Sequence, residues 1–200
     1  MSGDTWSAAP EALVLATSAV HVWRSPASDR DQARAILKIL LARYEGLDPE
    51  AIKFTEGPHG KPALGTTTDL RFNLSHTKGL ALYAFARGSE VGIDVERARS
   101  GLDTVRLAGR FINPQEAHKL GQLEHEQRDE AFLRAWVRYE ATVKCLGTGI
   151  GARHIQKSLT DTAPWVKEID PGPNAAAAAL AVADGPRTLH LYDWAATHEP

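Results

Sequence analysis

Cysteine is almost absent from this sequence, since Cys145 is the only one among 200 residues. A disulfide within the chain is therefore excluded, and the composition fits a reducing compartment. Long apolar runs are also missing, because no stretch approaches the roughly 20 residues that a membrane-spanning helix needs. Asp4 and Glu11 lie near the N-terminus with no basic stretch before the first apolar run, which is untypical of a secretory signal. We therefore expect a cytoplasmic protein with no membrane partner.

An excess of charge of one sign is missing as well. The 23 Lys and Arg residues nearly balance the 25 Asp and Glu residues, giving a formal net charge of −2 at pH 7. General nucleic-acid binders usually present a basic surface, so we expect no nucleic-acid partner, although a local basic pocket is compatible with this balance. With 43% hydrophobic residues, the chain can build the core of one domain or of two small halves packed together.

Hydrophobic periodicity predicts two long helices. The first covers residues 29–45, where apolar residues recur at three- and four-residue steps. Ser28 is its expected N-cap and Gly46 its expected end. The second covers about residues 128–146 and ends at the glycines that follow. A shorter helix is expected to begin after Asn113, where Asn-Pro-Gln-Glu forms a capping box with proline at the first helical position.

Apolar and alternating segments predict the strands. The expected strands are residues 12–23, 70–74, 80–86 and 91–96. Residues 174–183 are rich in alanine, which favours a helix. They nevertheless lie between Pro173 and a Gly-Pro turn, and residues 188–194 alternate like a strand. We therefore predict a hairpin at the C-terminal end of the chain.

Two carboxylates lie two positions apart in the segment Gly-Ile-Asp-Val-Glu at 92–96. Side chains at i and i+2 of a strand point to the same face, so Asp94 and Glu96 converge while Ile93 and Val95 point into the core. Crowded carboxylates repel unless a cation lies between them, and oxygen ligands suit magnesium or manganese. The pair alone is a weak indication of a metal site, because Asp and Glu are ordinary at a strand end that runs into solvent.

Two further segments carry polar residues that suit phosphate chemistry. Glu140 and Lys144 lie four apart on a helix, where they form either a surface ion pair or a carboxylate and an ammonium beside a metal-bound phosphate. Ser75 and His76 end an apolar strand, where a hydroxyl, an imidazole and backbone donors can meet a phosphate; such a dipeptide alone is more often a turn. No nucleophile elbow surrounds the serine, which argues against a catalytic triad.

The order of three motifs resembles the larger, Sfp-type branch of the 4′-phosphopantetheinyl transferases. They are Phe-Asn-Leu-Ser-His at 72–76, Gly-Ile-Asp-Val-Glu at 92–96 and Trp-x-x-x-Glu-Ala-x-x-Lys at 136–144. Gly-Lys-Pro at 60–62, Phe-x-x-Pro-x-Glu at 111–116 and Gly-Thr-Gly-Ile at 147–150 extend the resemblance. The resemblance implies an α+β fold, a pseudo-dimer of two similar halves, each a small, mostly antiparallel sheet packed against a long helix. We place the halves at residues 1–89 and 90–200.

The resemblance also implies an activity and its residues. The enzyme would move 4′-phosphopantetheine from coenzyme A to a serine of an apo acyl or peptidyl carrier protein, release 3′,5′-ADP and act as a monomer. Asp94, Glu96 and Glu140 would hold a divalent cation, Mg²⁺ or alternatively Mn²⁺. Glu140 would be the base, and Lys144 would contact the pyrophosphate.

The coenzyme would lie in the cleft between the halves. By the same resemblance, Ser75 and His76 would meet the nucleotide phosphates, the Gly60-Lys61-Pro62 turn would meet the adenine end, and Arg34 would meet the 3′-phosphate. From pattern alone, the row formed by Arg30, Arg34 and Lys38 favours a solvated helix face.

One position departs from the family pattern. Tyr139 stands where the family usually has a lysine directly before the catalytic glutamate, and Arg138 lies on another face of the helix and cannot replace that lysine. Two alternatives to the transferase stay open: a catalytically silent module that binds carrier proteins or nucleotides, and a magnesium-dependent phosphohydrolase.

Overall fold

The computed structural model describes residues 5–57, 60–99, 101–148, 163–173 and 175–194. These residues form ten strands and four α-helices. The strands are β1 Ser7–Ala8, β2 Ala19–Ser25, β3 Phe54–Glu56, β4 Pro62–Leu64, β5 Leu70–Thr77, β6 Leu80–Arg87, β7 Val91–Glu96, β8 Trp165–Ile169, β9 Ala177–Val182 and β10 Thr188–Asp193. The helices are α1 Arg30–Glu45, α2 Thr104–Leu107, α3 Pro114–Gly121 and α4 His125–Leu146.

The first sheet has five strands in the order β1-β10-β2-β6-β5. Strand β10 runs parallel to both β1 and β2, whereas β6 pairs antiparallel with β2 and β5. Alternate side chains of this sheet, among them Trp23, Phe72 and Tyr83, pack against the apolar stripe of α1 formed by Leu40 and Leu41. This burial holds α1 on the outer face of the first sheet.

The second sheet is antiparallel, in the order β7-β9-β8. Its inner face contributes Ile93 and Leu180 to a core shared with Val22 and Leu82 of the first sheet. Its outer face is lined by small residues at 177, 179 and 181 that pack against α4. The molecule is therefore layered as helix, sheet, sheet and helix.

The predicted α+β class is confirmed, and several element boundaries agree with the sequence analysis. Gly46 ends α1 in the left-handed conformation, and β7 covers the predicted residues. Asn113 caps α3 by accepting from the Glu116 amide. The predicted strand 12–23 begins later, at Ala19, and α4 begins earlier, at His125. Within the described residues, none of the helices is long and apolar enough to cross a membrane.

The N-cap of α1 corrects one sequence prediction. Asp29 rather than Ser28 is the N-cap, because the Asp29 carboxylate accepts from the amides of Asp31 and Gln32. Ser28 instead donates its hydroxyl to Asp29. A carboxylate is the stronger acceptor at a helix N-terminus, since it also interacts favourably with the helix dipole.

The predicted C-terminal hairpin is wrong. Its two strands exist, but β9 pairs with β7 and β8 in the second sheet, whereas β10 joins the first sheet beside β2. Alternation predicts which face of a strand is buried, but it carries no information about the neighbouring strand. The expected exit after α4 lies partly outside the described residues, which stop at Thr148 in this region.

Candidate active site

A cleft of about 1030 Å³ opens between α1 with β5 on one side and β7 with α4 on the other. Eight of the ten predicted site residues line it: Arg34, Pro62, Ser75, His76, Asp94, Glu96, Glu140 and Lys144. The fold therefore brings the three main motifs to one place.

Gly92 explains how β7 and α4 come close enough to share a site. A Cβ atom at this position would overlap the Ala141 carbonyl oxygen and the Cys145 amide nitrogen. Only glycine lets the helix backbone lie directly on the strand. This close approach places Lys144 and Glu140 of α4 beside Asp94 of β7.

Asp94 is held in a defined orientation. One carboxylate oxygen, Oδ1, accepts from the Lys144 ammonium at 2.6 Å and from the Ser75 hydroxyl at 2.9 Å. Lys144 also donates to the Ile93 carbonyl at 3.2 Å. As expected from the strand period, Ile93 and Val95 point into the core, with exposed fractions of 0% and 1%.

Two carboxylate oxygens in the cleft lack a partner. Asp94 Oδ2 and Glu140 Oε1 are buried and have no hydrogen-bond partner within the described residues. Burial, and then the negative charge of Asp94, raises the pKa of Glu140 to about 7, while Lys144 acts in the opposite direction. Buried oxygens that the protein leaves unpaired are the kind of ligand that a hard divalent cation needs.

Glu96 lies at the half-buried end of β7. Burial and the neighbouring Asp94 raise its pKa, and Arg99, whose guanidinium lies 3.1 Å from its carboxylate, partly offsets this. Asp94, Glu96 and Glu140 line the same cleft, but no group of three ligating side chains among the described residues is already drawn together around a point where an ion could sit.

The opposite wall of the cleft carries three basic residues of α1, together with Asp31 and Glu50. Arg30, Arg34 and Lys38 of α1 face into it, in the row that the sequence pattern favoured as solvated. None of the three forms an ion pair with a carboxylate of the described residues. Their charge is therefore available to an anion, opposite the carboxylates of β7 and α4.

Ser75 and His76 occupy different environments although they are neighbours. His76 is exposed and lines the cleft near the N-terminal end of α1. The Ser75 side chain is buried, with 6% exposed, and its hydroxyl contacts Asp94, Lys144 and the Val95 amide. Alternation along β5 separates the two side chains.

The Gly60-Lys61-Pro62 turn is divided between two cavities. Pro62 lines both the cleft and an adjoining cavity of about 520 Å³, whereas Lys61 lines only the adjoining cavity. The Lys61 ammonium binds Glu90 at 2.6 Å and the Val91 carbonyl at 3.0 Å. Gly60 adopts a left-handed conformation with φ of 80°, and it lines neither cavity. The structure thus does not bring Gly60 and Lys61 together with the other predicted site residues.

The departure from the family pattern lies at the rim of the site. The Tyr139 ring lies 5.8 Å from the ring of Trp136, which lines the cleft. Arg138 is directed to Glu168 of β8, at 3.1 Å, and does not line the cleft. This agrees with the expectation that Arg138 does not replace the missing lysine.

Sequence analysis missed Asn73 as a residue of this region. It lines the cleft, is 8% exposed and accepts from the Ile93 amide at 2.8 Å. The available signal was an amide side chain between the apolar residues Phe72 and Leu74, a position where a buried polar group needs a partner.

Comparison with known proteins agrees with this arrangement. Residues 90–184 match the family model described as the 4′-phosphopantetheinyl transferase superfamily. The chain is 33% identical over 199 residues to 4′-phosphopantetheinyl transferase HetI of Nostoc sp., an alignment that covers 82% of this chain and 84% of that protein.

Two further relatives are similar over a shorter region. Sfp of Bacillus subtilis is 26% identical over 115 residues, covering 58% of this chain and 50% of that protein. AcpT of Salmonella typhi is 34% identical over 110 residues, covering 55% of this chain and 56% of that protein. Both are named 4′-phosphopantetheinyl transferases. From the match to HetI along most of both chains, together with the family model, we conclude that this chain belongs to the 4′-phosphopantetheinyl transferase superfamily, an enzyme family, and to its larger branch.

Proposed function

We propose that this enzyme transfers the 4′-phosphopantetheine group of coenzyme A to a serine hydroxyl of an apo acyl or peptidyl carrier protein and releases 3′,5′-ADP. One observation carries the proposal beyond family membership. A single cleft sets three basic residues of α1, which form no ion pair among the described residues, opposite three carboxylates on β7 and α4. Coenzyme A is a polyanion, and its reacting pyrophosphate needs positive charge on both sides.

The basic row supports binding of the nucleotide end. Arg34, with His76 nearby on β5, would contact phosphate oxygens there, and Pro62 would border the same end of the cleft. Arginine suits this role because its planar guanidinium can bind two phosphate oxygens at once. Gly60 and Lys61 would contact the adenine end. We propose that they do so through the backbone of their turn, because the Lys61 ammonium is bound to Glu90.

The carboxylates fit a magnesium ion. Asp94 Oδ2 and Glu140 Oε1 are buried and have no hydrogen-bond partner in the part of the chain that the structure describes. Every candidate ligand is an oxygen, which magnesium and manganese prefer. Asp94, Glu96 and Glu140 are the residues that would hold the ion. When bound, it would neutralise negative charge on the pyrophosphate during transfer.

Glu140 is the residue that we propose as the base. The serine oxygen of the carrier forms a bond to the phosphorus of the phosphopantetheine group, and the bond from that phosphorus to the oxygen of 3′,5′-ADP breaks. The bonding electron pair leaves with the ADP oxygen, and the serine proton passes to Glu140. In the metal-free protein, burial and Asp94 raise the pKa of Glu140 to about 7, a value at which a carboxylate can accept a proton near neutral pH.

Lys144 has a defined place in this scheme. Its ammonium forms a salt bridge with Asp94 and adds positive charge on the side of the cleft formed by β7 and α4. The proposed pyrophosphate contact would form there. Without this ammonium, the negative charges of Asp94, Glu96 and Glu140 would repel one another in a partly buried site. We therefore propose that Lys144 both contacts the pyrophosphate and offsets the negative charge of Asp94.

We propose that residues 1–89 and 90–200 are the two halves of a pseudo-dimer that acts as a monomer in the cytoplasm. Strand β10, from the second half, lies in the sheet of the first half and would tie the two together. The cleft lies between α1 with β5 and β7 with α4, which is the boundary between these halves.

Incubation with coenzyme A and a panel of apo carrier proteins, followed by intact mass analysis, tests the proposal. A transferase adds one phosphopantetheine group to a carrier serine and releases 3′,5′-ADP. A silent binding module leaves the carrier and the coenzyme unchanged, and a phosphohydrolase cleaves the coenzyme without labelling the carrier. Either of the last two outcomes with every carrier contradicts the proposal.

A further inference from the structure

Among the described residues, strand β7 lies at the edge of the second sheet, and one side of its backbone has no strand to pair with in that sheet. The carbonyls of Glu90 and Glu96 accept from Ala183 and Ala176, which flank β9. Because backbone groups alternate along a strand, the even-numbered residues face β9 and the odd-numbered residues face away. The outward amides and carbonyls of residues 91, 93 and 95 therefore need other partners.

Side chains supply those partners. Lys61 donates to the Val91 carbonyl at 3.0 Å, and Lys144 donates to the Ile93 carbonyl at 3.2 Å. The Asn73 side-chain oxygen accepts from the Ile93 amide at 2.8 Å, and the Ser75 hydroxyl accepts from the Val95 amide at 3.3 Å. We call these four side chains, Lys61, Asn73, Ser75 and Lys144, the edge clasp.

The two acceptors of the edge clasp come from one strand. Asn73 and Ser75 lie two residues apart on β5, and each reaches the residue 20 positions further along the chain. The constant offset means that β5 and β7 run in the same direction. The edge clasp thus takes the place of a ladder of backbone hydrogen bonds between the two sheets, and it does so beside Asp94.

The Ser75 hydroxyl has little capacity left for a ligand. It accepts from the Val95 amide and from Lys144 at 3.0 Å, and it donates to Asp94 Oδ1 at 2.9 Å. A hydroxyl has one proton and two lone pairs, so all of its hydrogen-bonding capacity is used. Its bonds instead fix the direction of the Asp94 carboxylate, whose other oxygen lies unpaired.

We propose that Asn73 and Ser75 are positioning residues for β7. Their side-chain oxygens accept hydrogen bonds from the outward amides of Ile93 and Val95, and these bonds fix the position from which Asp94 faces the cleft. The catalytic part of this inference rests on the proposed function. Asn73 touches neither Asp94 nor a reacting group and acts through the backbone of β7. Both residues are buried, with exposed fractions of 8% and 6%, so water does not readily replace their bonds.

Two pairs of matched variants isolate the hydrogen bonds from side-chain shape. Asn73→Leu keeps the size of the side chain but removes the acceptor, whereas Asn73→Asp retains an acceptor oxygen. The side chains introduced by Ser75→Val and Ser75→Thr have the same shape, but only Ser75→Thr keeps a hydroxyl. Asn113→Ala is the control, since Asn113 also accepts a backbone amide through its side-chain oxygen, at 2.7 Å, but at the start of α3 and away from the cleft.

Amide hydrogen exchange by NMR tests the edge clasp without relying on activity. We expect the Ile93 amide to exchange at least about 10-fold faster in Asn73→Leu, because a buried donor loses its partner. Asn73→Asp should restore most of the protection, and Asn113→Ala should leave it unchanged. In the same way, the Val95 amide should exchange faster in Ser75→Val, and Ser75→Thr should retain most of its protection. This second pair keeps the test available if Asn73→Leu does not fold. Unchanged protection in the Leu and Val variants would overturn the proposal.

Calorimetric titration with Mg²⁺ in the absence of coenzyme A, and then transfer kinetics, test the effect on the site. We expect Asn73→Leu to weaken cation binding and to lower kcat at least about 10-fold, with KM for coenzyme A nearly unchanged. Loss of protection with cation binding and kcat equal to those of Asn113→Ala would mean a structural role only, and would overturn the positioning role. If the wild-type protein transfers nothing, the proposed function fails, and the exchange and Mg²⁺ measurements still decide this inference.

Discussion

Lys144 Nζ lies 2.6 Å from Asp94 Oδ1, and the second oxygen of the same carboxylate is buried without a hydrogen-bond partner among the described residues. One half of Asp94 is therefore occupied by the protein, and the other half is left for a ligand. The same α4 surface carries Glu140, whose Oε1 is also buried and unpaired. This division is the structural basis of the proposed metal site.

We predict that transfer requires a divalent cation and is lost in Asp94→Ala. The substitution removes a proposed ligand and leaves the Lys144 ammonium without its carboxylate. We also expect the free energy of unfolding to fall by about 1–3 kcal/mol, as for a partly buried charge that loses its partner. Activity with and without excess chelator, together with chemical denaturation, provides the measurement.

Asp193→Ala is the matched control for this variant. Asp193 also pairs with a basic residue, Arg24, but it lies outside the cleft. It should lower stability without changing the dependence on the cation. Full activity of Asp94→Ala, or of the wild type in excess chelator, would refute the metal site.

We predict that Arg34 distinguishes coenzyme A from dephospho-coenzyme A. If its guanidinium binds the 3′-phosphate, the wild type should favour coenzyme A by about 1.5–3 kcal/mol, the range for a charge-assisted contact. Arg34→Ala should lose most of this preference. His76→Ala should weaken coenzyme A binding without unfolding the chain, because His76 is exposed. Calorimetric titration with the two compounds measures both effects.

Arg138→Ala is the control for the phosphate pocket, since Arg138 is also an exposed helical arginine but binds Glu168 away from the cleft. It should retain the preference of the wild type. Equal affinity of the wild type for the two compounds would show that no group in the cleft recognises the 3′-phosphate.

Two buried groups should give opposite pH dependences in metal-free buffer. The pKa of Glu140 is raised from 4.5 to about 7, so the folded state binds more protons, and stability falls as the pH rises from 4.5 to 7. Burial and the nearby His190 lower the pKa of His21 from 6.5 to about 4. The unfolded state then binds more protons, and stability falls as the pH drops from 6.5 to 4.

These contributions, each up to about 3 kcal/mol, should nearly cancel between pH 4.5 and 6.5. We therefore predict that the stability of the wild type depends less on pH in this window than that of Glu140→Gln. Glu140→Gln removes one contribution, so its stability should fall distinctly as the pH drops below 6.5. Denaturation midpoints of both proteins at several pH values measure this. Parallel profiles would mean that Glu140 titrates as an ordinary surface carboxylate.

Much of the site could be predicted from local sequence pattern. The two-residue period of β7 placed Asp94 and Glu96 on one face, and the four-residue spacing on α4 placed Glu140 beside Lys144. Both are properties of a single element, so they need no knowledge of the partner. The roles assigned to these residues through the family resemblance stay predictions.

What could not be predicted depends on contacts between elements. The clearance that Gly92 provides exists only because α4 lies on β7. The destination of Lys61 at Glu90 and the use of Asn73 at the β7 edge follow from how the two sheets meet. The pairing of β9 and β10 with different sheets has the same origin, because an apolar alternation suits either sheet.

The most direct test compares Glu140→Gln with the wild type in the transfer of phosphopantetheine to an apo carrier protein, followed by intact mass. Glutamine keeps the size of the side chain but removes its charge and basicity. We predict that the wild type labels the carrier and that the variant is at least about 100-fold slower, the lower range for loss of a general base, with only partial rescue at high Mg²⁺. Transfer by Glu140→Gln at the wild-type rate would contradict the account, because Glu140 would then be neither the base nor a required metal ligand.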